Sequence, residues 1–340
     1  MKNPQRVLVT GGAGYVGAVL VPELLDDGYL VRVLDLFLFG EAVFDSRKND
    51  PHLEQFKGDI RDRSFLSRVL PGCDTVIHLA CISNDPSFEL NPSLSRSINY
   101  EAFRPLVEIA KENGVRRFIY ASTSSVYGVS ESESVTEDHP LVPLTDYNKY
   151  KGLCEPILLE YQSPDFTTVV VRPATVCGYS PRMRLDLSVN ILTNHAVNHG
   201  RITVFGGRQV RPNIHIEDMV DLYRLLLKLA DKKIAGRIYN AGYQNHSLAQ
   251  LAEMVRDVVE EEMPEKRPIE IVSTPSDDVR SYHISSEKIK RELGFLPLRT
   301  IQDAVRDLVR AFREGKIPDP FADPRYYNIR TMQQLQLAPN

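Results

Sequence analysis

The sequence predicts an α/β protein, a doubly wound parallel sheet followed by a smaller α/β C-terminal lobe. Three observations carry this. Five short runs rich in branched apolar residues recur through the first half, stretches of helical period separate them, and a glycine triplet closes the first run. Runs that are apolar throughout, rather than alternating, belong to parallel sheets covered on both faces. Strand and helix in alternation imply βαβ units joined by right-handed crossovers.

The predicted strands are RVLVT (6–10), LVRVLDL (30–36), DTVIHLA (74–80), RRFIYAS (116–122) and TTVVVRP (167–173), with helices near 15–27, 62–70, 97–113 and 147–161. Pro22, Pro105 and Pro156 fall inside three of these helices. Each removes a backbone hydrogen bond at a cost of about 3 kcal/mol, so a bend or register shift is expected at each. After residue 174 the alternation weakens. RLDLSVNILTNHAVNHG is amphipathic, RITVFG reads as a short strand, and IEDMVDLYRLLLKLADKK, SLAQLAEMVRDVVEE and IQDAVRDLVRAFREG read as helices. A first domain is therefore expected over 1–174, with 212–235 returning to it, a second lobe over 175–320, and a polar, Pro-rich surface tail over 321–340.

With 42% hydrophobic and 25% charged residues the chain has the composition of a soluble globular protein, and its 340 residues suit two domains or one large domain carrying a smaller lobe. A net charge of −4 and the lack of a dense Lys/Arg cluster argue against a nucleic-acid partner. No apolar run reaches the roughly 18 residues of a membrane span. The N-terminus enters a strand almost at once, leaving no room for a signal peptide. Cys73, Cys81, Cys154 and Cys177 show no CxxC spacing and sit among apolar neighbours, as free thiols of a cytoplasmic protein would. No metal site is expected.

Chemistry first appears in VLVTGGAGYVG, where Gly11, Gly14 and Gly17 stand between a strand and a helix. Such glycines let a dinucleotide pyrophosphate approach the helix N-terminus, which makes the first domain Rossmann-type. Asp35 ends the next strand, where a carboxylate accepts bonds from the adenosine ribose and repels a 2′-phosphate, favouring NAD over NADP. Asp59, in GDIRD, follows a third short strand, a position from which it could face the adenine. In TDYNKYKGLCE, Tyr147 and Lys151 are four residues apart and share a helix face. An ammonium beside a phenol is expected to lower its pKa from about 10 towards neutrality, so that Tyr147 exchanges a proton with a substrate hydroxyl.

Together the glycine triplet, GDI, HLA, STSSVYG, Tyr147-x-x-x-Lys151 and RPNIHIED resemble the extended short-chain dehydrogenase/reductases, and within them the NAD-dependent nucleotide-sugar epimerase/dehydratase group. The resemblance covers roughly residues 6–300. It implies that Tyr15 and Val16 line the pyrophosphate, Asp35 and Leu36 the ribose, and Asp59 with Ile60 the adenine. Leu79, Ala80, Cys81, Ser83 and Ser122 would run beside the cofactor, Asn99 would support Lys151 or its water, and Pro173 and Val176 would close the nicotinamide side. Thr123 matches the residue that bonds the reacting hydroxyl. Ser83, Ser124, Ser125, Thr175 and Asn190 would meet a nucleotide-diphosphate sugar, and Arg211 and Arg280 would grip its diphosphate. Each of these arginines also has the plainer reading of a surface ion pair. His78 and His215 are expected to be structural. The resemblance further implies a homodimer formed by helices near 97–113 and 147–161.

Two departures from the group narrow the chemistry. Leu36 stands where relatives often have Asn beside the ribose. In the 4,6-dehydratases an Asp and a Glu follow the Thr, in the UDP-xylose-forming decarboxylases the loop reads STSEVYG, and in the 3,5-epimerases a Cys takes the place of Ser124. Serine at neutral pH is neither the acid nor the base that elimination needs. What remains is Thr123, Tyr147 and Lys151, the minimum for hydride transfer at a ring carbon, and a 4-epimerase is expected. A nucleotide-sugar 4-dehydrogenase or 4-keto reductase would use the same residues, and a non-catalytic NAD-sensing protein could share the fold. GYSPRMRLDLSVN, with Arg182 and Arg184, reads either as a clamp on the sugar or as a solvated basic loop. Residues 129–146 read either as a lid or as a surface connection.

Overall fold

The computed structural model describes residues 5–130, 132, 134–276 and 281–336. Its main sheet contains β1 (Arg6–Thr10), β2 (Leu30–Asp35), β3 (Leu53–Lys57), β4 (Thr75–His78), β5 (Arg117–Ala121) and β6 (Thr167–Pro173). The second half adds β7 (Thr175–Cys177), β8 (Arg201–Phe205), β9 (Val210–His215), β10 (Arg237–Ala241), β11 (Gln244–Ser247) and β12 (Glu270–Thr274). The seven-stranded sheet is ordered β10-β6-β5-β4-β1-β2-β3, and every pair in it is parallel. β1, β4 and β6 are buried along almost their whole length, as strands covered on both faces must be. The strand order reverses between β1 and β4. Crossovers leave that point in opposite directions, and the crevice they open at the strands' carboxyl ends is where such sheets bind ligands.

The helices Gly17–Asp26 and Asp146–Glu160 run through Pro22 and Pro156 without a break. Pro105 is handled differently. The single helix expected over 97–113 is divided into Pro92–Arg96, a wider π turn at Ser97–Glu101, and Phe103–Glu112. That division places Pro105 in the first turn of the last piece, where its missing N–H costs least.

The chain returns to the first domain between residues 216 and 241. The helix Ile216–Lys228 packs on Gly17–Asp26, and β10 adds to the sheet beside β6. The second lobe is held by helices Ser188–His199, Leu248–Glu262 and Ile301–Arg313 around one apolar cluster, with a small sheet β11-β9-β7 and a parallel pair β8-β12. The C-terminal segment is not the surface tail that its composition suggested. The helix Asn328–Leu335 docks beside Asp85–Leu90 and buries Asn328, Thr331 and Met332, because these short side chains and one methionine fill the seam between the lobes.

Residues 129–146 pack sideways. Val129 and Val135 form bridges with Ser281 and Ile284, Val135 is fully buried, and no described residue of this stretch lines the central cleft. It is a connection pinned to the second lobe.

Candidate active site

A cleft of about 450 Å³ opens at the carboxyl ends of the central strands. One wall is the glycine loop. Gly11 has φ +71°, and a Cβ there would stand 2.6 Å from the Ala80 backbone nitrogen; at Gly17 it would stand 2.3 Å from the Gly12 carbonyl oxygen. Only glycine lets β1, the loop and the β4 end approach this closely. The helix Gly17–Asp26 starts at Val16 without a side-chain cap; Ala18 N already donates to the Gly14 carbonyl at 2.8 Å, while Tyr15, Val16 and Gly17 line the cleft at the helix's positive end. Asp35 is held in place by N–H groups of Ala13 (3.0 Å) and Phe37 (2.7 Å). Burial pushes its carboxyl above the ordinary value, and those two donors pull it back. Loop, uncapped helix and fixed carboxylate fit a dinucleotide: N–H groups for the pyrophosphate, an acceptor for the ribose.

Gly14, Tyr15, Val16, Leu36, Asp59, Ile60, Leu79, Ala80, Cys81, Ser83, Ser122, Pro173 and Val176 also line this cleft. Several are engaged within the protein. Asp59 is paired with Arg61 at 2.6 Å. Ser83 Oγ accepts from Asn328 Nδ2 at 2.8 Å and from Arg184 Nη1 at 3.3 Å. The Tyr15 hydroxyl donates to the Gly178 carbonyl at 2.6 Å.

The catalytic wall follows β5. Thr123 caps the short 3₁₀ turn Ser124–Tyr127 by accepting from Ser125 N, and its Oγ1 lies 2.6 Å from Ser125 Oγ. Ser124 Oγ is 3.5 Å from the Tyr282 hydroxyl. Ser122 points back instead, donating to Glu155 Oε1 at 2.6 Å. Glu155, one turn beyond Lys151, forms a buried ion pair with Arg172 at 2.6 Å, and Arg172 Nη1 donates to the Tyr127 hydroxyl at 2.6 Å. This network ties the hydroxyl loop to the helix Asp146–Glu160, whose N-terminus is capped by Thr145.

Tyr147 reaches the cleft, but the expected lowering of its phenol is absent. Burial holds it well above the usual value, with Cys81 and Asp85 adding and the Arg184 guanidinium pulling down. Lys151 is turned to other partners. Its ammonium, 2% exposed, bonds the Ala121 carbonyl and lies 4.6 Å from the Tyr120 ring centroid. Asn99 does not support Lys151 directly: its amide both accepts from and donates to the Ile82 backbone, at 2.8 and 2.9 Å, fixing the turn after β4.

Of the residues expected at the substrate, Thr123, Ser124, Ser125, Tyr147, Thr175 and Arg211 line the cleft. Arg280 lies outside the described residues. Asn190 is displaced from the role. It is fully buried, and its amide is consumed by Gly178 N (3.1 Å), the Arg184 carbonyl (2.8 Å) and the Tyr15 hydroxyl (3.0 Å). The two arginines of PRMRLD are no solvated loop: both are buried on the cleft wall, and Arg184 pairs with Asp186 at 2.9 Å. Phe39 and Tyr282 line the cleft and Asn328 stands behind it on Arg182 and Ser83; none of the three is singled out by the sequence, because none belongs to a local pattern of its own. His78 and His215 are structural. His78 lies 2.7 Å from Thr10 Oγ1, and His215 caps Ile216–Lys228 with its Nε2 3.2 Å from Asp307.

The NAD dependent epimerase/dehydratase family matches residues 7–242. The chain belongs to this family. It is 29% identical over 334 residues to UDP-glucose 4-epimerase 2 of Arabidopsis thaliana, covering 89% of this chain and 94% of that one. It is equally 29% identical over 320 residues to the dTDP-glucose 4,6-dehydratase of Streptomyces griseus, covering 92% and 95%. The crystal structure of dTDP-glucose 4,6-dehydratase from Streptomyces venezuelae, with NAD bound, superposes with a TM-score of 0.81 at 26% identity, over 93% of this chain and 99% of that one. The protein is thus an NAD-dependent enzyme of the extended short-chain dehydrogenase/reductase type, and no described helix is long and apolar enough to cross a membrane.

Proposed function

We propose that this family member is a nucleotide-sugar 4-epimerase that oxidises C4 transiently to a keto-sugar and reduces it from the other face. One observation carries the reading. The catalytic wall presents hydroxyls, Thr123, Ser124, Ser125 and Tyr147, where elimination would need an acid and a base. Two carboxylates that also line the cleft are engaged elsewhere: Asp85 accepts from Thr145 Oγ1 at 2.5 Å, and Asp186 is paired with Arg184.

NAD, bound on the glycine loop, supplies the hydride acceptor and donor. The protein's own part is proton handling and orientation. Thr123 and Ser125, already sharing a hydrogen bond, exchange it for one to the C4 hydroxyl. Tyr147 takes the C4 hydroxyl proton and gives it back, with Arg184 as the cation that favours its anionic form. Lys151 holds the Ala121 carbonyl, and so the end of β5, against the helix that carries Tyr147. Arg211 lies on the substrate side, and a guanidinium there pairs well with a diphosphate.

The test is to denature the purified protein and quantify the NAD⁺ and NADH released. Close to one equivalent per chain is expected, since an epimerase recycles its cofactor. Release of none would favour a 4-dehydrogenase or 4-keto reductase that exchanges NAD(H) with solution. The same reading carries a cytoplasmic homodimer packed through Phe103–Glu112 and Asp146–Glu160. Sedimentation as a monomer at micromolar concentration would remove the dimer.

A further inference from the structure

The wall opposite the glycine loop holds a buried cation with unused bonding capacity. Arg182 is 5% exposed and lines the cleft. Its guanidinium lies 3.5 Å from the Phe39 ring centroid, and Nη2 donates to Asn328 Oδ1 at 2.5 Å. Nε and Nη1 are buried with no hydrogen-bond partner among the described residues. Leaving such donors unmatched away from water is costly, and a guanidinium cannot escape by losing its proton as readily as an amine can. The charges facing it are Asp35 and Asp186, which favour the cation, and Arg184, which opposes it; burial with Arg184 brings its pKa down to about 9.

We propose that Arg182 is a ligand of the NAD diphosphate, reaching over the dinucleotide from the second lobe while the glycine loop binds it from the first. The neighbours fix which anion this is. Asp35, Phe39 and Tyr15 all belong to the cofactor wall, so the group is not aimed at the sugar-nucleotide beside Thr123 and Arg211. A ribose 2′-phosphate would have to sit against the Asp35 carboxylate. The diphosphate bridge remains, and a planar fork answers phosphate oxygens two at a time.

The orientation of the fork is itself held. Phe39 stacks on one face. Asn328 holds Nη2 and is in turn fixed by its Nδ2 on Ser83 Oγ (2.8 Å) and by its backbone N–H on Asp186 Oδ2 (3.2 Å). Asn328 is therefore a positioning residue, and the C-terminal helix becomes the backstop of the cofactor site. This inference rests on the family's NAD dependence and not on the epimerase reading.

Calorimetric titration of NAD-stripped protein with ADP, adenosine and 2′-AMP tests it without any turnover. In Arg182→Met, ADP affinity is expected to fall by about tenfold to a hundredfold, the value of a charge-assisted bond, with adenosine affinity unchanged. Arg182→Lys should also lose ADP affinity, because it keeps the charge but not the fork, and it decides the matter if the Met variant does not fold. Asn328→Ala should show a smaller loss of the same kind; no loss there removes the positioning role. Unchanged ADP affinity in both Arg182 variants overturns the proposal. So does an equal loss for adenosine, which would make Arg182 a packing residue, or a loss confined to 2′-AMP, which would move it to the ribose.

Discussion

The two walls of the cleft are built by different means. The wall formed by the glycine loop, the end of β5 and the head of Asp146–Glu160 is assembled from short local patterns: three glycines around one turn, hydroxyls on one loop, Tyr147 and Lys151 one helical turn apart. The facing wall is assembled from residues with no local pattern. Ser83, Arg182, Arg184, Asp186, Asn190 and Asn328 meet through side-chain bonds that span up to 245 positions. Local patterns place groups that act on ligands, whereas long-range networks spend most of their polar atoms on one another. Substitutions on the first wall should therefore cost turnover, and substitutions on the second should cost stability first.

The largest effect is expected at Tyr147. Removing its hydroxyl in Tyr147→Phe should lower kcat by about 10²- to 10⁴-fold, the range for a positioned acid–base group. The cofactor released on denaturation should stay the same, because the glycine loop is untouched. Full epimerase turnover in this variant would end the proposed mechanism.

Asn190 gives the next largest effect and draws the contrast most sharply. Asn190→Ala leaves the Gly178 N–H and the Arg184 carbonyl without their partner in a fully buried site. A loss of about 2–4 kcal/mol in denaturant unfolding is expected, with KM little changed. Unaltered stability with a raised KM would instead return Asn190 to the substrate contact that the family resemblance implied.

That residue shows where sequence reading stops. The fold was legible because apolar runs, helical period and the Gly11–Gly17 turn are local and agree with one another. Tyr147 and Thr123 were legible for the same reason. The error at Tyr147 concerned its surroundings: helical spacing puts Lys151 on the correct face, but the direction of its ammonium is decided by the Ala121 carbonyl, which lies 30 positions away. Asn328 was invisible because its role depends on where a C-terminal segment docks. The π turn before Pro105 was unreadable too, since it packs against the distant helix Asp146–Glu160, where Cys154 Sγ bonds the Asn99 carbonyl at 3.3 Å.

The smallest expected effect lies beneath the first wall, at His78. Its ring is buried among Phe103, Phe118 and Tyr120, and burial, with a contribution from the Lys151 charge, lowers its pKa to about 3 from an ordinary 6.5. Below pH 6.5 the unfolded chain takes up a proton that the folded chain refuses. Stability from this group is thus complete above 6.5 and drains away as pH falls towards 3, by about 1.4 kcal/mol per pH unit. Between pH 6.5 and 5 that amounts to about 2 kcal/mol. Unfolding free energies of the parent and of His78→Gln, measured at both pH values, isolate it from the carboxylates common to both. The parent should lose about 2 kcal/mol more than the variant over that interval. Equal losses would mean that His78 binds its proton in the folded state. The buried charge would then stand beside Lys151, and the first wall would be held together by the same kind of long-range polar network as the second.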